Sequence, residues 1–230
     1  MDYERVLVCG AHPDDEVAMA GTIAKLSEKG VQVFVLIFTD GCEGYPKPEL
    51  KEEIVEIRRR EQEVCDRILG VHRRICLERP DMALENDKET FLECVRIIRE
   101  VRPDAIFTHG PHDRHRDHRA VSAITVEARW QAGEPVSAEL GPPWHTPHLY
   151  YYRGVQALLP RVVVDVSETA HKRWEAMAAY ESQHTLWGRT KEEFAEEAER
   201  VRESGERYIE TFWIAEETVF SDFPPKEEDI

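Results

Sequence analysis

Histidine and aspartate are concentrated in two short segments of this chain, residues 10–16 and residues 109–118. The first reads Gly-Ala-His-Pro-Asp-Asp-Glu, and the second contains four of the ten histidines. Zn²⁺ and similar divalent ions bind imidazole nitrogens and carboxylate oxygens, and a catalytic site commonly takes three such ligands from the protein. The fourth position is then left for water. The two segments together therefore predict a catalytic metal site.

The residue types in these segments also suit hydrolysis. His12 and Asp15 are three residues apart across a predicted loop-to-helix junction, so both side chains can face one crevice. A histidine of the second segment would complete the ligand set. A carboxylate beside the metal can take a proton from water, and a histidine oriented by a carboxylate can donate a hydrogen bond to a developing oxyanion. The helix dipole also favours acids at a helix start, but it does not account for His12.

Alternating strand and helix patterns surround the two segments. Apolar runs typical of strands buried on both faces occur at residues 5–9, 31–38 and 104–108. Amphipathic helical patterns occur between and after them, at residues 16–29, 49–69, 88–101 and 118–130. This alternation predicts an α/β fold built from right-handed strand–helix–strand units. Each His/Asp segment follows a predicted strand, and open α/β sheets bind their ligands at that end.

The last third of the sequence is less regular, but it shows neither a linker nor an internal repeat. Strands are predicted at residues 149–152 and 162–166, and helices at residues 168–180 and 191–203. A chain of 230 residues with 41% apolar residues can bury one sizeable core. We therefore predict a single domain over residues 1–230.

Charge and composition exclude several partners. The formal net charge is −16, from 46 acidic and 30 basic residues, so binding to nucleic acid or to an anionic membrane surface is not expected. The longest apolar run, residues 33–38, is too short to cross a bilayer, and the N-terminal residues lack a signal-peptide pattern. Five scattered cysteines without a C-x-x-C motif are typical of reduced thiols. These features predict a cytoplasmic protein that acts on a small molecule.

The order of these motifs resembles the PIG-L/LmbE-like family of zinc-dependent N-deacetylases. The stretch Ala-His-Pro-Asp-Asp-Glu at residues 11–16 and the His/Asp-rich residues 112–118 carry the resemblance. Smaller matches, such as Thr-Asp-Gly at residues 39–41, extend it over residues 3–185, and the part beyond is family-variable. The resemblance implies a Rossmann-like three-layer α/β/α sandwich with a mostly parallel sheet. It also implies removal of the N-acetyl group from an N-acetylglucosamine-type sugar or conjugate, which releases acetate and a free amine.

The same resemblance implies roles for individual residues. It makes two histidines and one aspartate the ligands of Zn²⁺: His12, Asp15 and His118. Asp14 is then the general base that activates water. His115 stabilises the oxyanion and protonates the leaving amine, and Asp117 holds His115 in orientation. Arg58 and Glu43 lie where family members contact the sugar. Other divalent ions can bind the same ligands. Members of this family often form oligomers, so the resemblance is also compatible with a homo-oligomer.

Two alternatives remain open at this point. One is a metallo-β-lactamase-like hydrolase, whose H-x-H-x-D-H signature differs from residues 113–118 only at its first position. That arrangement makes His115, Asp117 and His118 all metal ligands in a strand-dominated sandwich, and it leaves the Ala-His-Pro-Asp-Asp-Glu stretch without a role. The other is a non-catalytic metal- or sugar-binding module that kept the ligands and lost turnover. Asp14 argues against such a module, because a degenerate binder has no need of a general base.

Overall fold

Seven strands form one mixed sheet in the computed structural model, which describes residues 3–155 and 159–215. The strands are β1 (Arg5–Gly10), β2 (Gln32–Thr39), β3 (Arg73–Arg79), β4 (Ala105–His109), β5 (His148–Arg153), β6 (Arg161–Asp165) and β7 (Ile209–Ile214). The helices are α1 (Ala20–Glu28), α2 (Ile54–Leu69), α3 (Lys88–Val101), α4 (Arg116–Gly133), α5 (His171–Ala179), α6 (His184–Trp187) and α7 (Lys191–Glu203). A short 3₁₀ helix, Asp15–Met19, precedes α1. Residues 216–230, in the family-variable part, lie outside the described residues.

The strand order is β3-β2-β1-β4-β5-β7-β6, and the first five strands in this order run parallel. β7 runs antiparallel to both of its neighbours, β5 and β6. From β1 the chain moves outward through β2 and β3, and it then returns to β4 on the other side of β1. The carboxyl ends of β1 and β4 thus form the switch point at which open α/β sheets have their ligand crevice. The two His/Asp segments leave β1 and β4 at this crevice.

Helices cover both faces of the sheet. Along β1 the side chains alternate: Val6 and Val8 pack on the layer of α1, α2 and α5, whereas Leu7 and Cys9 pack on the layer of α3 and α4. All four side chains are fully buried, which explains why this strand is a continuous apolar run. The structure confirms the predicted three-layer α/β/α sandwich with a mostly parallel sheet.

The strand β7 also contacts the first helix. The carboxylate of Glu210 on β7 accepts hydrogen bonds from the main-chain N–H groups of Gly21 (3.0 Å) and Thr22 (2.8 Å) at the start of α1. A Cβ atom at Gly21 would lie 2.9 Å from the Cβ of Val166, so this close approach requires glycine. Because α1 follows the first His/Asp segment, β7 helps to position that segment.

A buried arginine organises the loop after α4. Arg99 on α3 is 2% exposed, and its guanidinium donates to six carbonyl oxygens in the last turn of α4 and the loop that follows. We expect Arg99→Met to lower the free energy of unfolding by about 2–3 kcal/mol, because a buried acceptor that loses its donor costs about 1–3 kcal/mol and some of the six regain water. Denaturant unfolding followed by circular dichroism measures this loss.

Arg96→Met is the matched control for this experiment. Arg96 lies on the same helix, but its side chain is 47% exposed, and its contacts are ion pairs with Glu93 and Glu100. Exposed ion pairs contribute about 0–1 kcal/mol, so we expect a small change. Equal losses in the two variants would show that the six carbonyl contacts do not stabilise the fold.

Candidate active site and metal centre

The two His/Asp segments meet at a cavity of about 310 Å³ at the carboxyl ends of β1 and β4. Its lining includes seven of the eight predicted site residues: His12, Asp14, Asp15, Glu43, Arg58, His115 and His118. The eighth, Asp117, is fully buried beside His12. Five further residues complete the lining: Gly44, Asp81, Met82, Arg153 and Gln183. A larger groove of about 590 Å³ between α1 and β6 is mostly apolar and contains no histidine, so it lacks this chemistry.

Donor atoms of three residues in the cavity have the spacing of metal ligands. His12 Nδ1 lies 3.2 Å from His118 Nε2 and 3.6 Å from Asp15 Oδ2. Asp15 Oδ1 lies 3.3 Å from His118 Nε2. A tetrahedral Zn²⁺ with bonds of about 2.0–2.1 Å separates its ligand atoms by about 3.4 Å. The three residues that the family resemblance implied as ligands therefore fit a divalent metal.

Carboxylates surround His12 on both sides. Its Nε2 lies 3.0 Å from Asp81 and 3.1 Å from Asp117, while Asp15 flanks its Nδ1. Burial lowers the pKa of His12, but hydrogen bonds with Asp117, Asp15 and Asp81 outweigh burial and raise it to about 12. Burial also raises the pKa of Asp15, but the neighbouring histidines hold that pKa well below its usual value. Buried acids in this number require positive charge, which a protonated His12 supplies in the metal-free protein and a bound cation would supply in its place.

Asp14 lies beside the three implied metal ligands in a strained backbone conformation. Its φ is +105°, in the left-handed region that residues other than glycine rarely adopt. Such a conformation costs about 1–3 kcal/mol and persists where the surroundings hold it, often at functional sites. Burial raises the pKa of Asp14 to about 7; Arg58 opposes the rise, and Asp15 and Glu16 add to it. A carboxyl group with that pKa can exchange protons near neutral pH.

Glu16 binds the main chain at Asp14 from the buried side of the turn. Its side chain is fully buried, and its carboxylate accepts a hydrogen bond from the N–H of Asp14 (3.3 Å). The other carboxylate oxygen accepts from Arg74 (2.8 Å) and from the hydroxyl of Tyr180. Burial raises the pKa of Glu16, but Arg74 outweighs burial and lowers it, so the carboxylate stays charged. These contacts show how the strained turn is maintained.

Arg58 and Glu43, the predicted sugar contacts, differ in their surroundings. Arg58 is 3% exposed and donates to Asp14 Oδ2 (2.8 Å) and to the carbonyl oxygens of Pro13 and Gly41. It therefore positions the carboxylate of Asp14 as well as lining the cavity. Glu43 is exposed at the outer part of the same cavity.

His115 and Asp117 meet in a different way from the one that the resemblance implied. His115 caps α4, and its Nδ1 accepts a hydrogen bond from the main-chain N–H of Asp117 (3.3 Å). The carboxylate of Asp117 accepts instead from His12 (3.1 Å) and from the N–H of Met82 (2.8 Å). Since its Nδ1 is an acceptor, a neutral His115 carries its proton on Nε2. Burial lowers the pKa of His115, which favours this neutral form.

The loop after β3 contributes two residues that no sequence motif indicated. Asp81 lies 3.0 Å from His12, and Met82 is 54% exposed at the edge of the cavity. Met82 has a φ of +62°, so it is a second non-glycine residue in the left-handed region at this site. On the opposite side, Gln183 donates to the carbonyl oxygen of Gly44 (2.9 Å). The sequence predicted no site role for any of these three residues.

Comparisons with known proteins agree with this geometry. Residues 7–129 match the family model described as PIG-L, GlcNAc-PI de-N-acetylase. The chain belongs to the PIG-L family. The resemblance on the Ala-His-Pro-Asp-Asp-Glu stretch and its partner segment is thereby confirmed.

PIG-L relatives cover most of the chain. Diacetylchitobiose deacetylase of Thermococcus kodakarensis is 32% identical over 193 aligned residues, which cover 79% of this chain and 71% of the relative. The 1D-myo-inositol 2-acetamido-2-deoxy-alpha-D-glucopyranoside deacetylase of Thermomonospora curvata is 29% identical, with 73% of this chain and 66% of the relative covered. Among solved structures, N,N'-diacetylchitobiose deacetylase from Pyrococcus horikoshii aligns with a TM-score of 0.78 at 29% identity, over 93% of this chain and 84% of that one.

The layout of the sheet bears on the metallo-β-lactamase-like alternative, and the helices can be checked for a membrane-spanning segment. A sheet of mostly parallel strands with helices on both faces is not the strand-dominated sandwich of a metallo-β-lactamase-like hydrolase, so that alternative is not supported. Within residues 3–155 and 159–215, no helix has the length and apolar character needed to cross a bilayer.

Proposed function

We propose that this chain is a metal-dependent amidohydrolase that removes the N-acetyl group from an N-acetylglucosamine-type sugar or conjugate. The observation that carries the proposal is the triangle of donor atoms from His12, Asp15 and His118, with Asp14 beside it in one cavity. Relatives named as deacetylases of diacetylchitobiose and of an acetamido-glucopyranoside of inositol support the substrate class. The products are acetate and a free amino sugar.

Zn²⁺ is the metal that we propose for this site, held by His12 Nδ1, Asp15 and His118 Nε2. When bound, the ion would polarise the acetyl carbonyl and lower the pKa of a water ligand toward about 7. Two imidazoles and a carboxylate suit zinc, and other divalent ions accept the same set. Asp117 lies 3.1 Å from His12 Nε2, and Asp113 lies 3.1 Å from His118 Nδ1. Carboxylates in such places orient metal-binding imidazoles.

Asp14 is the general base in this proposal. Arg58 donates to its Oδ2 (2.8 Å), so we assign the proton transfer to Oδ1. Oδ1 takes a proton from water as the water oxygen adds to the acetyl carbon. When the C–N bond breaks, Oδ1 returns that proton to the leaving nitrogen, and the carboxylate regains its charge. Burial raises the pKa of Asp14 above that of an ordinary carboxyl group, which suits both transfers.

His115 supplies a hydrogen bond to the developing oxyanion. Its Nδ1 accepts from the N–H of Asp117, so the Nε2 proton is the one available to the acetyl oxygen. Loss of one such donor typically costs about 10²–10³ in rate. A neutral His115 has a single ring proton, and for this reason we assign protonation of the leaving amine to Asp14, in place of the role that the resemblance implied for His115.

The outer part of the cavity is the proposed sugar subsite. Glu43 offers an acceptor and Arg153 offers donors to sugar hydroxyls, and Met82 adds an exposed apolar surface. Arg58 faces this subsite with a guanidinium that Asp14 and loop carbonyls already hold.

We further propose that the chain acts as one domain in a reducing compartment such as the cytoplasm. One sheet runs through the described residues and supports the single domain. The five cysteines are free thiols, and burial raises the pKa of Cys9, Cys65 and Cys94, which keeps them protonated. Free thiols in this number are typical of reducing compartments.

Acetate release from a panel of sugars tests the proposed activity. Zinc-loaded protein is incubated with N-acetylglucosamine, N,N'-diacetylchitobiose and an N-acetylglucosaminyl inositol, and acetate and free amine are measured in parallel. We expect equimolar acetate and amine from at least one sugar, loss of release after chelation, and recovery when Zn²⁺ is restored. N-acetylglycine is the matched control, because it contains the same amide without a sugar. Sugar binding without acetate release from fully metal-loaded protein would support the non-catalytic module instead.

A further inference from the structure

A further histidine lies directly behind the proposed metal ligands. His109, the last residue of β4, is fully buried and does not line the cavity. Its Nε2 lies 3.1 Å from Asp15 Oδ2 and 3.0 Å from the hydroxyl of Tyr152. Its ring stacks on the ring of His118, with 3.9 Å between centroids and 11° between planes. His109 therefore contacts two of the three proposed ligands.

The surroundings of His109 determine which ring nitrogen carries the proton. Nδ1 has no hydrogen-bond partner among the described residues, so a proton there would be a buried, unpaired donor. That form would also set the Nε2 lone pair against the carboxylate of Asp15. A proton on Nε2 is donated to Asp15 and leaves the N–H of Ala11 (3.3 Å) without an acceptor, whereas the hydroxyl of Tyr152 donates to the carbonyl oxygen of Cys9 (3.0 Å). Each neutral form leaves one N–H donor without an acceptor, either Nδ1–H of His109 or the N–H of Ala11. The Nε2–H form is favoured because it alone donates a hydrogen bond to the charged carboxylate of Asp15.

The two oxygens of Asp15 are consequently distinguished. Oδ2 accepts from the main-chain N–H of His12 (2.8 Å) and from His109 Nε2–H (3.1 Å). Oδ1 lies 3.3 Å from His118 Nε2, whereas Oδ2 lies 3.6 Å from His12 Nδ1. Two donors on Oδ2 fix the rotation of the carboxylate and leave Oδ1 as the oxygen available to a metal beside His118 Nε2.

We infer that His109 is a positioning residue that preorganises the metal site, through its Nε2–H bond to Asp15 and its stacking on His118. The inference rests on the proposed function only in taking Asp15 and His118 as metal ligands. It does not require that the metal-bound protein hydrolyse an amide. Groups that orient metal ligands in this way typically contribute about 10–100-fold to metal affinity.

Three substitutions separate the hydrogen bond from the packing. His109→Phe keeps an aromatic ring against His118 and removes the donor. His109→Gln places an amide N–H₂ where Nε2 stands, and His109→Asn places it where Nδ1 stands. Thr108→Val is the matched control, because Thr108 precedes His109 on the same strand, is fully buried, and bonds Thr125 (3.4 Å) rather than a metal ligand.

Zinc affinity measured by competition with a chromophoric chelator tests the inference, together with the visible spectrum of the Co²⁺ form. We expect His109→Phe and His109→Asn to weaken zinc binding about 10–100-fold and to change the Co²⁺ spectrum. We expect His109→Gln and Thr108→Val to bind zinc within about threefold of the unsubstituted chain, with its spectrum.

Several outcomes would overturn the inference. Zinc binding by His109→Phe at unsubstituted strength and with an unchanged spectrum would show that the donor does not position Asp15. If His109→Phe fails to fold, equal affinities of the Gln and Asn variants would overturn the assignment to Nε2. A zinc effect of His109 in a protein that releases no acetate would contradict only the proposed activity, whereas failure of the unsubstituted chain to bind zinc would contradict both.

Discussion

Asp14→Asn is expected to retain the metal and to lower turnover at least about a hundredfold. The amide keeps the shape of the carboxylate and an oxygen that accepts from Arg58, so the turn held by Glu16 should persist. An amide cannot take a proton from water, and general-base catalysis typically contributes about 10²–10⁴ in rate. Turnover is measured as acetate release at saturating Zn²⁺, with bound zinc determined on the same samples after dialysis.

Asp104→Asn provides a matched control for this substitution. The carboxylate of Asp104 accepts from the N–H groups of Glu4 (2.8 Å) and Arg5 (3.0 Å) at the amino end of β1. The cavity lies at the other end of this strand. The asparagine oxygen can accept the same bonds, so zinc content and turnover should stay near their original values. Loss of zinc in Asp14→Asn would make Asp14 a ligand, and unchanged turnover would remove it from the mechanism.

His118→Ala is expected to lose the metal and, with it, acetate release. The substitution removes one corner of the triangle and leaves His12 and Asp15, whereas zinc sites of this type take three protein ligands. Zinc per protein after dialysis should fall from about one to well below one. Thermal unfolding with and without added Zn²⁺ gives an independent reading, because a ligand that binds only the folded state raises the unfolding temperature.

His145→Ala is the control for His118→Ala, because His145 is an exposed histidine that does not line the cavity. It should keep full zinc occupancy. Full occupancy of His118→Ala after the same dialysis would contradict the ligand assignment. Zinc loss in His115→Ala would instead make His115 a metal ligand, together with His12 and His118.

Helix bounds could be predicted from the sequence where local capping is strong. α3 and α7 begin and end at the predicted residues, and the structure shows the cause. Asp87 caps α3 by accepting from the N–H of Thr90 (2.8 Å), and Thr190 forms a capping box with Glu193 at the start of α7. These contacts span three residues, so the sequence contains all of the information.

Two strands could not be predicted, because distant neighbours stabilise them. β3 reads Arg-Arg-Ile-Cys-Leu-Glu-Arg and lies at the edge of the sheet, where charged residues are tolerated and no apolar run forms. β7 pairs with β5 and β6 rather than with a parallel neighbour. Since β3 was not predicted, Asp81 and Met82 in the loop after it had no place in the predicted site.

The first helix shows the same limit at the site itself. The sequence predicts a helix at residues 16–29, but the structure divides this region into the 3₁₀ helix Asp15–Met19 and α1. The tight turn depends on Arg74 and Tyr180, which bind Glu16 from far along the chain. The types of the site residues could therefore be assigned from motifs, but the contacts among them could not. The link between His115 and Asp117 is an example, because their spacing does not tell whether main chain or carboxylate makes the contact.

The position of β7 has a consequence for how the protein matures on the ribosome. β6 lies at the edge of the sheet and pairs with β7, so it has to wait for a strand that is synthesised about fifty residues later. Glu210 of that strand also binds the start of α1, directly after the turn that contains Asp14 and Asp15. A nascent chain that has not yet exposed residues 209–214 lacks this support for its first catalytic turn. The support for that turn is therefore completed only about 195 residues after Asp14 and Asp15 have been synthesised.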